Sequence, residues 1–424
     1  MPPSILTCRS CGDPRLEPVL SLGDVPLVNA LVEPGDPGPD ERYPLATVRC
    51  PRCTLVQITE TVSPERLFRA YTYFSSYSET FLDHARRFAA GAIRDLRLGP
   101  ESLVIEAASN DGYLLQYFAE AGVPSVGIEP AENVAAVACR RGIETISEFL
   151  DEELAQRVVA ERGPADLVVA NNVLAHVPDL HGFVAALRTL AGEHGLIVVE
   201  APYVCDLVDR LEFDTIYHEH VCYFTLTSLA ALFRQHELEL VGVDRLPVHG
   251  GSLRVRAAAA AEPDDSVEQM LLDEQHWGVH DGKRFDRFAA SVDQLRRQLH
   301  DFVSDLVSNG AGVAAYGAAA KGVVLANVCG LDADLVRFVV DRNPHKQGKL
   351  LPGVRIPIME PAALVRERPE YCLLFAWNLA DEIVKQQATY REGGGTFVTP
   401  VTSIASARAR IAPAVTAWNG VYSP

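Results

Sequence analysis

Four ionisable side chains stand in a row near the middle of the chain, in the segment FDTIYHEHVCYFT: Tyr217, His218, Glu219 and His220. Apolar residues flank them, and ionisable groups are costly to bury unless they have partners or a function. An imidazole or a carboxylate with suitable neighbours can act as a general base near neutral pH. We therefore predict that His220 and Glu219 are proton acceptors. The segment lacks the H-E-x-x-H spacing of a helical zinc site, so a metal is not expected here.

Two Cys-x-x-Cys pairs near the N-terminus predict a metal site, formed by Cys8, Cys11, Cys50 and Cys53. Four thiolates can hold zinc tetrahedrally at ~2.3 Å, and two intervening residues let one turn present both sulfurs. Free thiols or a redox pair are the alternatives, but two pairs of equal spacing favour zinc. A closed four-sulfur site has no open coordination position, so the predicted role of this zinc is structural.

The segment VIEAASNDGYLL has the pattern of a ligand-binding turn between a strand and a helix. Glu106 ends the strand, and Asn110 and Gly112 permit a tight backbone. About twenty residues later Glu129 ends the next strand, where a carboxylate can accept both hydroxyls of a ribose. An ordinary turn capped by Asp111 explains the pattern nearly as well, because no G-x-G-x-x-G is present.

Three further polar residues follow the strand in ADLVVANNVLAHVPD: Asn171, Asn172 and His176. They stand at its carboxyl end, where open α/β sheets bind their ligands. A single histidine at such a place is more often structural than catalytic, so His176 alone does not define a site.

Basic residues and glycines recur in three segments of the C-terminal half: HGGSLRV, YGAAAKG and DRNPHKQGKLLPG. Helix N-termini, glycine amides and cationic side chains suit a diphosphate. The alternative is a set of solvated loops. The candidate anion-binding residues are His249, Gly250, Gly251, Arg254, Lys321, Arg342 and Lys349.

The elements that must position these residues follow from hydrophobic periodicity. From Leu103 onward short apolar runs alternate with amphipathic helical patterns, which predicts parallel βαβ units. LELVGVDRLPVHGGSLRVRAAA adds two antiparallel strands. Val267–Val307 is helical and charged, and a second, smaller α/β series begins at Gly312. The sequence thus predicts an α/β protein preceded by a cysteine-bearing segment.

Length and charge restrict the class of protein. A chain of 424 residues predicts two or three domains. A net charge of −18 disfavours nucleic acid or an anionic membrane as the partner, although not a small phosphorylated ligand. There is no run of 18 apolar residues and no pattern of a secretory signal, so we expect a cytoplasmic protein. Without an obvious coiled coil, a monomer is expected.

Taken in order, these motifs resemble the zinc-containing, S-adenosylmethionine-dependent sugar C-methyltransferases of deoxysugar and antibiotic biosynthesis. The segments that carry the resemblance span nearly the whole chain: both Cys-x-x-Cys pairs, YTYFSSYSET, SNDGYLL, NNVLAHVPD, IYHEHVCYF, HGGSLR, YGAAAKG and DRNPHKQGKLLPG. The resemblance implies a small zinc-binding domain (1–70), a central class I methyltransferase Rossmann-like domain (71–262), a helical connector (263–310) and a C-terminal Rossmann-like α/β domain that binds a nucleotide sugar (311–424).

The resemblance also implies a reaction. The expected substrate is a thymidine-diphosphate (TDP)-linked 4-keto-6-deoxysugar, methylated at C-3 or sometimes C-5, with C-3 expected here. A base removes the proton next to the ketone, and the enolate attacks the sulfonium methyl. His220 is the implied base, with Glu219 orienting it or sharing its role. Tyr217 and His176 would contact the enolate oxygen or position the sugar.

The same resemblance assigns ligand contacts. Glu129 would hold the ribose, and Lys321, Arg342 and Lys349 would face the diphosphate. The other implied cofactor residues are Tyr71, Tyr73, Glu106, Asn110, Asp111, Gly112, Asn171 and Asn172. One departure is Ala108, which stands where many methyltransferases have glycine.

Two other readings compete with a methyltransferase. A nicotinamide-dependent oxidoreductase or epimerase of nucleotide sugars would use the C-terminal α/β unit, with Asp341 at the end of a strand. It lacks a clear dinucleotide fingerprint. A zinc-domain scaffold that merely binds nucleotide sugars does not explain Tyr217–His220.

Overall fold

Three β-sheets organise the part of the chain described by the structure, a computed structural model that covers residues 7–68, 71, 73–259 and 261–401. A four-stranded antiparallel sheet comes first, a seven-stranded sheet second and a five-stranded parallel sheet last. Strands and helices alternate along both larger units. The α/β class expected from the sequence is confirmed.

The N-terminal sheet consists of β1 (Glu17–Pro26), β2 (Arg42–Arg49), β3 (Val56–Ile58) and a two-residue strand from the central region, Cys222–Tyr223. Buried and exposed residues alternate along β2, as in a strand with one face on the core. The strand from the central region pairs with β3. This pairing fixes the chain directly after Tyr217–His220 to the zinc-binding region.

Two helices lead from this sheet to the central one: α1 (Pro64–Phe68) and α2 (Glu79–Leu96). The side chain of Ser78 accepts a hydrogen bond from the backbone N–H of Phe81, which caps the N-terminus of α2. At the other end Arg97 takes a left-handed conformation and stops the helix.

The central region follows the predicted alternation of strands and helices. Its elements are β4 (Val104–Ala107), α3 (Leu115–Glu120), β5 (Ser125–Ile128), α4 (Glu132–Arg140), β6 (Thr145–Ile146), α5 (Glu152–Arg162), β7 (Leu167–Asn171), α6 (Leu180–Ala191), β8 (Leu196–Pro202), α7 (Val204–Arg210), β9 (Cys222–Tyr223), α8 (Leu226–Arg234), β10 (Glu239–Leu246) and β11 (Ser252–Ala258).

The central sheet has the strand order β10-β11-β8-β7-β4-β5-β6. Strands β8 to β6 run parallel, and β11 and β10 close one edge antiparallel, as predicted. β4 and β7 are buried along their whole length, which is typical of parallel strands covered on both faces. The carboxyl ends of β4, β5 and β7 therefore meet at one edge, where such sheets bind ligands.

Two helices occupy the predicted connector: α9 (Asp265–Trp277) and α10 (Gly282–Ser308). The buried residues of α10 recur every three to four positions and form one apolar stripe; they are Phe285, Phe288, Val292, Leu295, Leu299 and Val303. This stripe packs into the same hydrophobic core as β1, the central sheet and the C-terminal unit. The connector therefore ties the three sheets together.

The C-terminal unit is a parallel sheet with the order β14-β13-β12-β15-β16. Its elements are β12 (Val313–Tyr316), α11 (Ala320–Cys329), β13 (Val339–Val340), β14 (Ile358–Met359), α12 (Ala363–Glu367), β15 (Tyr371–Leu374), α13 (Ala380–Gln386), α14 (Ala388–Glu392) and β16 (Thr396–Val398). This is the second α/β series expected from the sequence.

Several elements differ from the sequence analysis. Strands β1 and β2 were not predicted, and neither were the short strands β3, β6, β9 and β14. The predicted domain boundaries stay predictions. Strand β9 lies inside the predicted methyltransferase domain and pairs with the N-terminal sheet. Among the described residues, none of the helices has the length and apolar character that crossing a bilayer requires.

Candidate active site

A cavity of about 750 Å³ opens where the three sheets approach one another. Asn29 and Phe68 from the N-terminal region form part of its wall. The carboxyl edge of the central sheet contributes Asn110 and Glu129, and the C-terminal unit contributes Tyr316. Its size and its mixed apolar and polar lining are those of a ligand site.

Tyr217 and His220 form a hydrogen-bonded pair on the cavity wall. Nδ1 of His220 lies 3.0 Å from the carbonyl oxygen of Thr215. A carbonyl can only accept, so Nδ1 carries the proton and Nε2 carries the lone pair. The hydroxyl of Tyr217 lies 2.8 Å from Nε2 and donates to it. Burial raises the pKa of Tyr217 well above its usual value, so this phenol stays a donor at neutral pH.

Glu219 is buried and is not among the residues that line the cavity. Its carboxylate accepts hydrogen bonds from Nδ2 of Asn29 (2.7 Å) and from the hydroxyl of Tyr71 (3.2 Å). Burial raises its pKa to about 7. The carbonyl of Thr215 holds the ring of His220. The prediction that Glu219 orients His220 or shares its role as base stays a prediction.

The other two histidines of the region differ in environment. His176 lines the cavity, with its ring centroid 4.7 Å from that of His220, and burial lowers its pKa to about 4. It is therefore neutral at pH 7, and its buried Nδ1 bonds no described residue. His218 is buried against the N-terminal sheet, where Nε2 lies 3.2 Å from the carbonyl of Pro44. His218 thus anchors the turn.

The loop after β4 bends sharply through three left-handed residues: Ala108 (φ 54°), Asn110 (φ 50°) and Gly112 (φ 78°). Glu129, at the end of β5, accepts hydrogen bonds from the backbone N–H groups of Asn110 and Ala131, both at 2.9 Å. Burial raises the pKa of Glu129 to about 7. The carboxylate thus holds the loop, and it also lines the cavity.

Three predicted cofactor residues lie behind the cavity wall: Glu106, Asp111 and Gly112. Asp111 is fully buried and pairs with Arg141 (3.1 Å) and with Ser76. Burial raises the pKa of Glu106 well above its usual value. The carboxylates of Glu106 and Asp111 are thus buried next to the loop. Their role in cofactor binding stays a prediction.

The segment Tyr73–Tyr77 covers the cavity beside this loop. The side chain of Asn110 accepts from the N–H of Ser75 (2.9 Å) and donates to the carbonyl of Tyr73 (3.2 Å). Tyr71 and Tyr73 both line the cavity, as do Asn171 and Asn172. Asn172 has φ 56°, and Oδ1 of Asn171 is buried without a hydrogen bond from any described residue.

The four cysteines fit a zinc ion. Their sulfur atoms all lie within 4.8 Å of one another, with Cys8–Cys53 at 3.4 Å and Cys11–Cys50 at 3.5 Å. Thiolates at ~2.3 Å from one zinc stand roughly 3.8 Å apart. Two similar turns present them, each closed by a hydrogen bond back to the carbonyl of its first cysteine, from the N–H of Gly12 and of Thr54. The set is closed, as predicted for a structural site.

The predicted anion-binding residues are brought together only in part: Gly251, Lys321 and Arg342 line the cavity, whereas Gly250, Arg254 and Lys349 do not. Arg342 lines the cavity and pairs with Glu382 (3.3 Å), whereas Lys349 pairs with Glu33 (3.0 Å) outside the cavity wall. Lys346, one of the basic residues of the DRNPHKQGKLLPG segment, lines the cavity and donates to the carbonyl of Ala318 at 2.7 Å. The neighbouring strand end, with Asp341 on the cavity wall, was the available signal for this position.

Lys321 lines the cavity but is surrounded by partners within the protein. Its Nζ lies 4.4 Å from the ring centroid of Trp377. Asp214 and Glu212 act electrostatically on it and oppose the lowering of its pKa by burial. This environment differs from the open phosphate-facing position expected from the sequence.

Carboxylates of the protein lie close to the HGGSLRV segment. A Cβ at Gly250 would overlap the carboxylate of Glu212, and one at Gly251 would overlap that of Asp206. Arg254 pairs with Glu200 at 2.5 Å, away from the cavity wall. The side chain of His249 lies outside the described residues. Buried carboxylates thus lie against this segment, and the diphosphate-binding role of Gly250, Gly251 and Arg254 stays a prediction.

The chain matches three family models along its length. A zinc-binding domain matches residues 8–68, a methyltransferase domain matches 78–243 and a C-methyltransferase C-terminal domain matches 247–402. The C-methyltransferase NovU of Streptomyces niveus is 38% identical over 398 residues, which cover 93% of this chain and 95% of NovU.

Solved methyltransferases are more distant. The magnesium protoporphyrin IX methyltransferase ChlM of Synechocystis PCC 6803 is 16% identical, with 42% of this chain and 83% of that chain covered and a TM-score of 0.35. CcbJ of Streptomyces caelestis is 14% identical, with 42% and 90% covered and a TM-score of 0.34.

The central sheet, its ligand edge and the matched domain models define an S-adenosylmethionine-dependent methyltransferase with a zinc-binding domain. The four-cysteine site suits zinc. The unpaired Oδ1 of Asn171 at the cavity wall suits a polar cofactor. The chain belongs to the C-methyltransferase family, as its identity with NovU over nearly the full length shows.

Proposed function

We propose that the enzyme methylates a carbon next to the ketone of a TDP-linked 4-keto-6-deoxysugar, at C-3. The observation that carries this proposal is the Tyr217–His220 pair on the wall of the cavity that the central sheet shares with the C-terminal unit. A carbon becomes nucleophilic next to a carbonyl once a base removes its proton, and Nε2 of His220 bears the lone pair for that task.

S-adenosylmethionine, when bound, supplies an electrophilic methyl group on a sulfonium sulfur. The residues that would hold it are Tyr71, Tyr73, Asn110, Glu129, Asn171 and Asn172, all on the cavity wall. Glu129 would accept the ribose hydroxyls while it keeps its two backbone donors. Glu106, Asp111 and Gly112 would act indirectly, by shaping the loop.

His220 receives the proton at Nε2 while Nδ1 remains bonded to the carbonyl of Thr215, so the charged ring keeps a hydrogen-bond partner. The phenol of Tyr217 must leave Nε2 as the sugar enters, and it then donates to the enolate oxygen. Neutral His176 lies against His220 and is the second group that can contact the sugar. A preorganised donor at a developing oxyanion accelerates a reaction by roughly 10²–10³-fold.

Glu219 acts through Tyr71 in this proposal, since its carboxylate holds the tyrosine hydroxyl and not the imidazole. The C-terminal unit places three cations on the cavity wall, of which Arg342 and Lys346 would face the diphosphate while Lys321 lies against Trp377. The oxidoreductase alternative gains no support from the family matches.

Mass spectrometry of the sugar product tests the function. A TDP-4-keto-6-deoxysugar with deuterium at C-3 is incubated with the enzyme and S-adenosylmethionine. We expect a gain of one methyl group and loss of the deuterium, and His220→Asn should abolish both changes. A methylated product that retains the deuterium would contradict carbanion formation at C-3.

A further inference from the structure

A partly buried contact joins the central region to the C-terminal unit beside the cavity. The indole Nε1 of Trp377, which follows β15, donates to Oδ2 of Asp214 at 2.7 Å. Asp214 is fully buried in the short turn Phe213–Thr215 after α7. Lys321, in the first turn of α11, lies with Nζ over the same indole ring, at 4.4 Å from its centroid.

The ionisation states of Asp214, Glu212 and Lys321 depend on one another. Burial raises the pKa of Asp214 to about 6 and that of Glu212 to about 9, while the nearby Lys321 counteracts both shifts. Arg210 is the other cation near Glu212, at 3.9 Å. An ionised carboxylate accepts an indole N–H more strongly than a protonated one does. Lys321 therefore keeps Asp214 in the form that holds Trp377.

The turn that bears Asp214 also bears the acceptor for the candidate base. Thr215, the next residue, offers its carbonyl to Nδ1 of His220 at 3.0 Å and also to the hydroxyl of Tyr223 at 3.4 Å. Asp214, whose side chain is bonded by Trp377 of the C-terminal unit, is thus the direct neighbour of Thr215, whose carbonyl oxygen fixes the tautomer of His220. A shift of this carbonyl would weaken the bond at Nδ1 and release the proton to Nε2.

We propose that Lys321 and Trp377 are positioning residues for His220. They hold Asp214, and with it the Thr215 carbonyl that keeps the proton on Nδ1 and the lone pair on Nε2. Through this contact the C-terminal unit completes the central site instead of only binding a nucleotide sugar. The inference rests on the proposed function only for the chemical role of His220, because the tautomer itself can be measured without substrate.

The test is the tautomer of His220, read by long-range ¹H–¹⁵N NMR on full-length protein labelled with ¹⁵N-histidine. The resonance is assigned by its absence in His220→Asn. The wild type should show the proton on Nδ1. Trp377→Phe, which keeps an aromatic ring but removes the donor, and Lys321→Met should raise the population protonated at Nε2 several-fold. Lys321→Arg, which keeps the charge, should restore the wild-type spectrum.

Arg355→Gln is the matched control. Arg355 also links the C-terminal unit to another region, because its Nε lies 3.1 Å from Oδ2 of Asp40, but it does not contact Asp214. This variant should leave the tautomer unchanged. In turnover assays we expect Trp377→Phe and Lys321→Met to lower kcat about tenfold, as loss of base alignment would, with KM for S-adenosylmethionine within about twofold of the wild type.

An unchanged His220 tautomer in folded Trp377→Phe and Lys321→Met overturns the proposal, whatever their activity. So does a tautomer that responds equally to Arg355→Gln, since any interdomain contact would then suffice. If the tautomer shifts as expected but His220→Asn still transfers methyl, the positioning is supported and the assignment of His220 as the base fails. The two claims are thereby separated.

Discussion

The hydroxyl of Tyr217 lies 2.8 Å from Nε2 of His220, so the phenol occupies the lone pair of the candidate base before substrate arrives. The carbonyl of Thr215 holds the other ring nitrogen. The imidazole is thus fixed at both ends in a single tautomer. A substrate proton reaches Nε2 only if the phenol moves to another acceptor, and the enolate oxygen next to the reacting carbon is such an acceptor.

Tyr217→Phe separates these two roles of the phenol. Removing the hydroxyl frees Nε2 but also removes the donor for the enolate oxygen, so we expect kcat to fall by roughly 10²-fold. The affinity for S-adenosylmethionine, measured by calorimetry, should stay within about twofold, because Tyr217 is not a proposed cofactor contact. A variant as active as the wild type would mean that Tyr217 does not stabilise the enolate.

Glu219→Gln should change how stability depends on pH. The folded-state pKa of Glu219 is about 7, above its value of 4.5 in the absence of burial. A raised folded pKa means that the wild type loses stability as pH rises from about 4.5 through 7. Glutamine does not ionise. The difference in melting temperature, variant minus wild type, should therefore be larger at pH 8 than at pH 5. Thermal scans of both proteins in both buffers measure it.

Glu148→Gln is a surface control for that comparison, because Glu148 pairs with Arg157 in an exposed ion pair. Its difference from the wild type should be small at both pH values. If the difference in melting temperature between Glu219→Gln and the wild type does not grow with pH, burial does not raise the pKa of Glu219.

Zinc removal should abolish activity although no cysteine sulfur of the site lines the cavity. The zinc-binding turn at Cys50–Cys53 directly precedes β3, and β3 pairs with Cys222–Tyr223, two residues after His220. Metal-free protein should therefore lose the geometry of the Tyr217–His220 turn. We expect Cys53→Ser to lower bound zinc, melting temperature and kcat together, as metal analysis and turnover assays would show.

Cys139→Ser is the matched control for the metal site, since Cys139 is an exposed thiol of α4 outside the four-cysteine cluster. It should keep one zinc per chain and its activity. Full activity in a zinc-free Cys53→Ser protein would contradict a supporting role of the zinc-binding region.

Ala108→Gly should relieve backbone strain next to the cofactor edge. Ala108 has φ 54°, a region that costs a residue with a Cβ roughly 1–2 kcal/mol. Glycine adopts it freely but loses about 0.5–1 kcal/mol through the entropy of the unfolded chain. We expect the melting temperature to stay level or rise slightly. Ala107→Gly, one residue earlier in the fully buried strand β4, should lower it. The opposite ranking would contradict this account.

The alternation of apolar strands and helices was enough to predict both α/β units, because buried parallel strands appear as continuous apolar runs. β1 and β2 were missed, since a strand with one face in solvent mixes polar and apolar residues and these lie in a proline-rich segment. β14 has two residues and leaves almost no periodic signal.

The sequence predicted which residue types form the site, but it did not predict which partners their side chains contact. Tyr217, Glu219 and His220 are adjacent in sequence, yet the turn sends Glu219 to Asn29 and Tyr71 and sends His220 to Thr215. Asn29 and Tyr71 lie more than a hundred residues from Glu219 in the chain, so local spacing does not predict these contacts. Arg254 was predicted to bind an anion, and in the folded protein it forms an ion pair with Glu200, which is also distant in the chain.

Solvent exchange at the carbon next to the ketone tests the central claim most directly. The TDP-4-keto-6-deoxysugar is incubated in D₂O with enzyme and S-adenosylhomocysteine, which has no methyl to transfer, and ¹H NMR follows the C-3 proton. We predict enzyme-dependent loss of that signal for the wild type and a rate at least about 10²-fold lower for His220→Asn. Exchange that proceeds equally fast in His220→Asn would contradict the account, because the proton would then leave to another base.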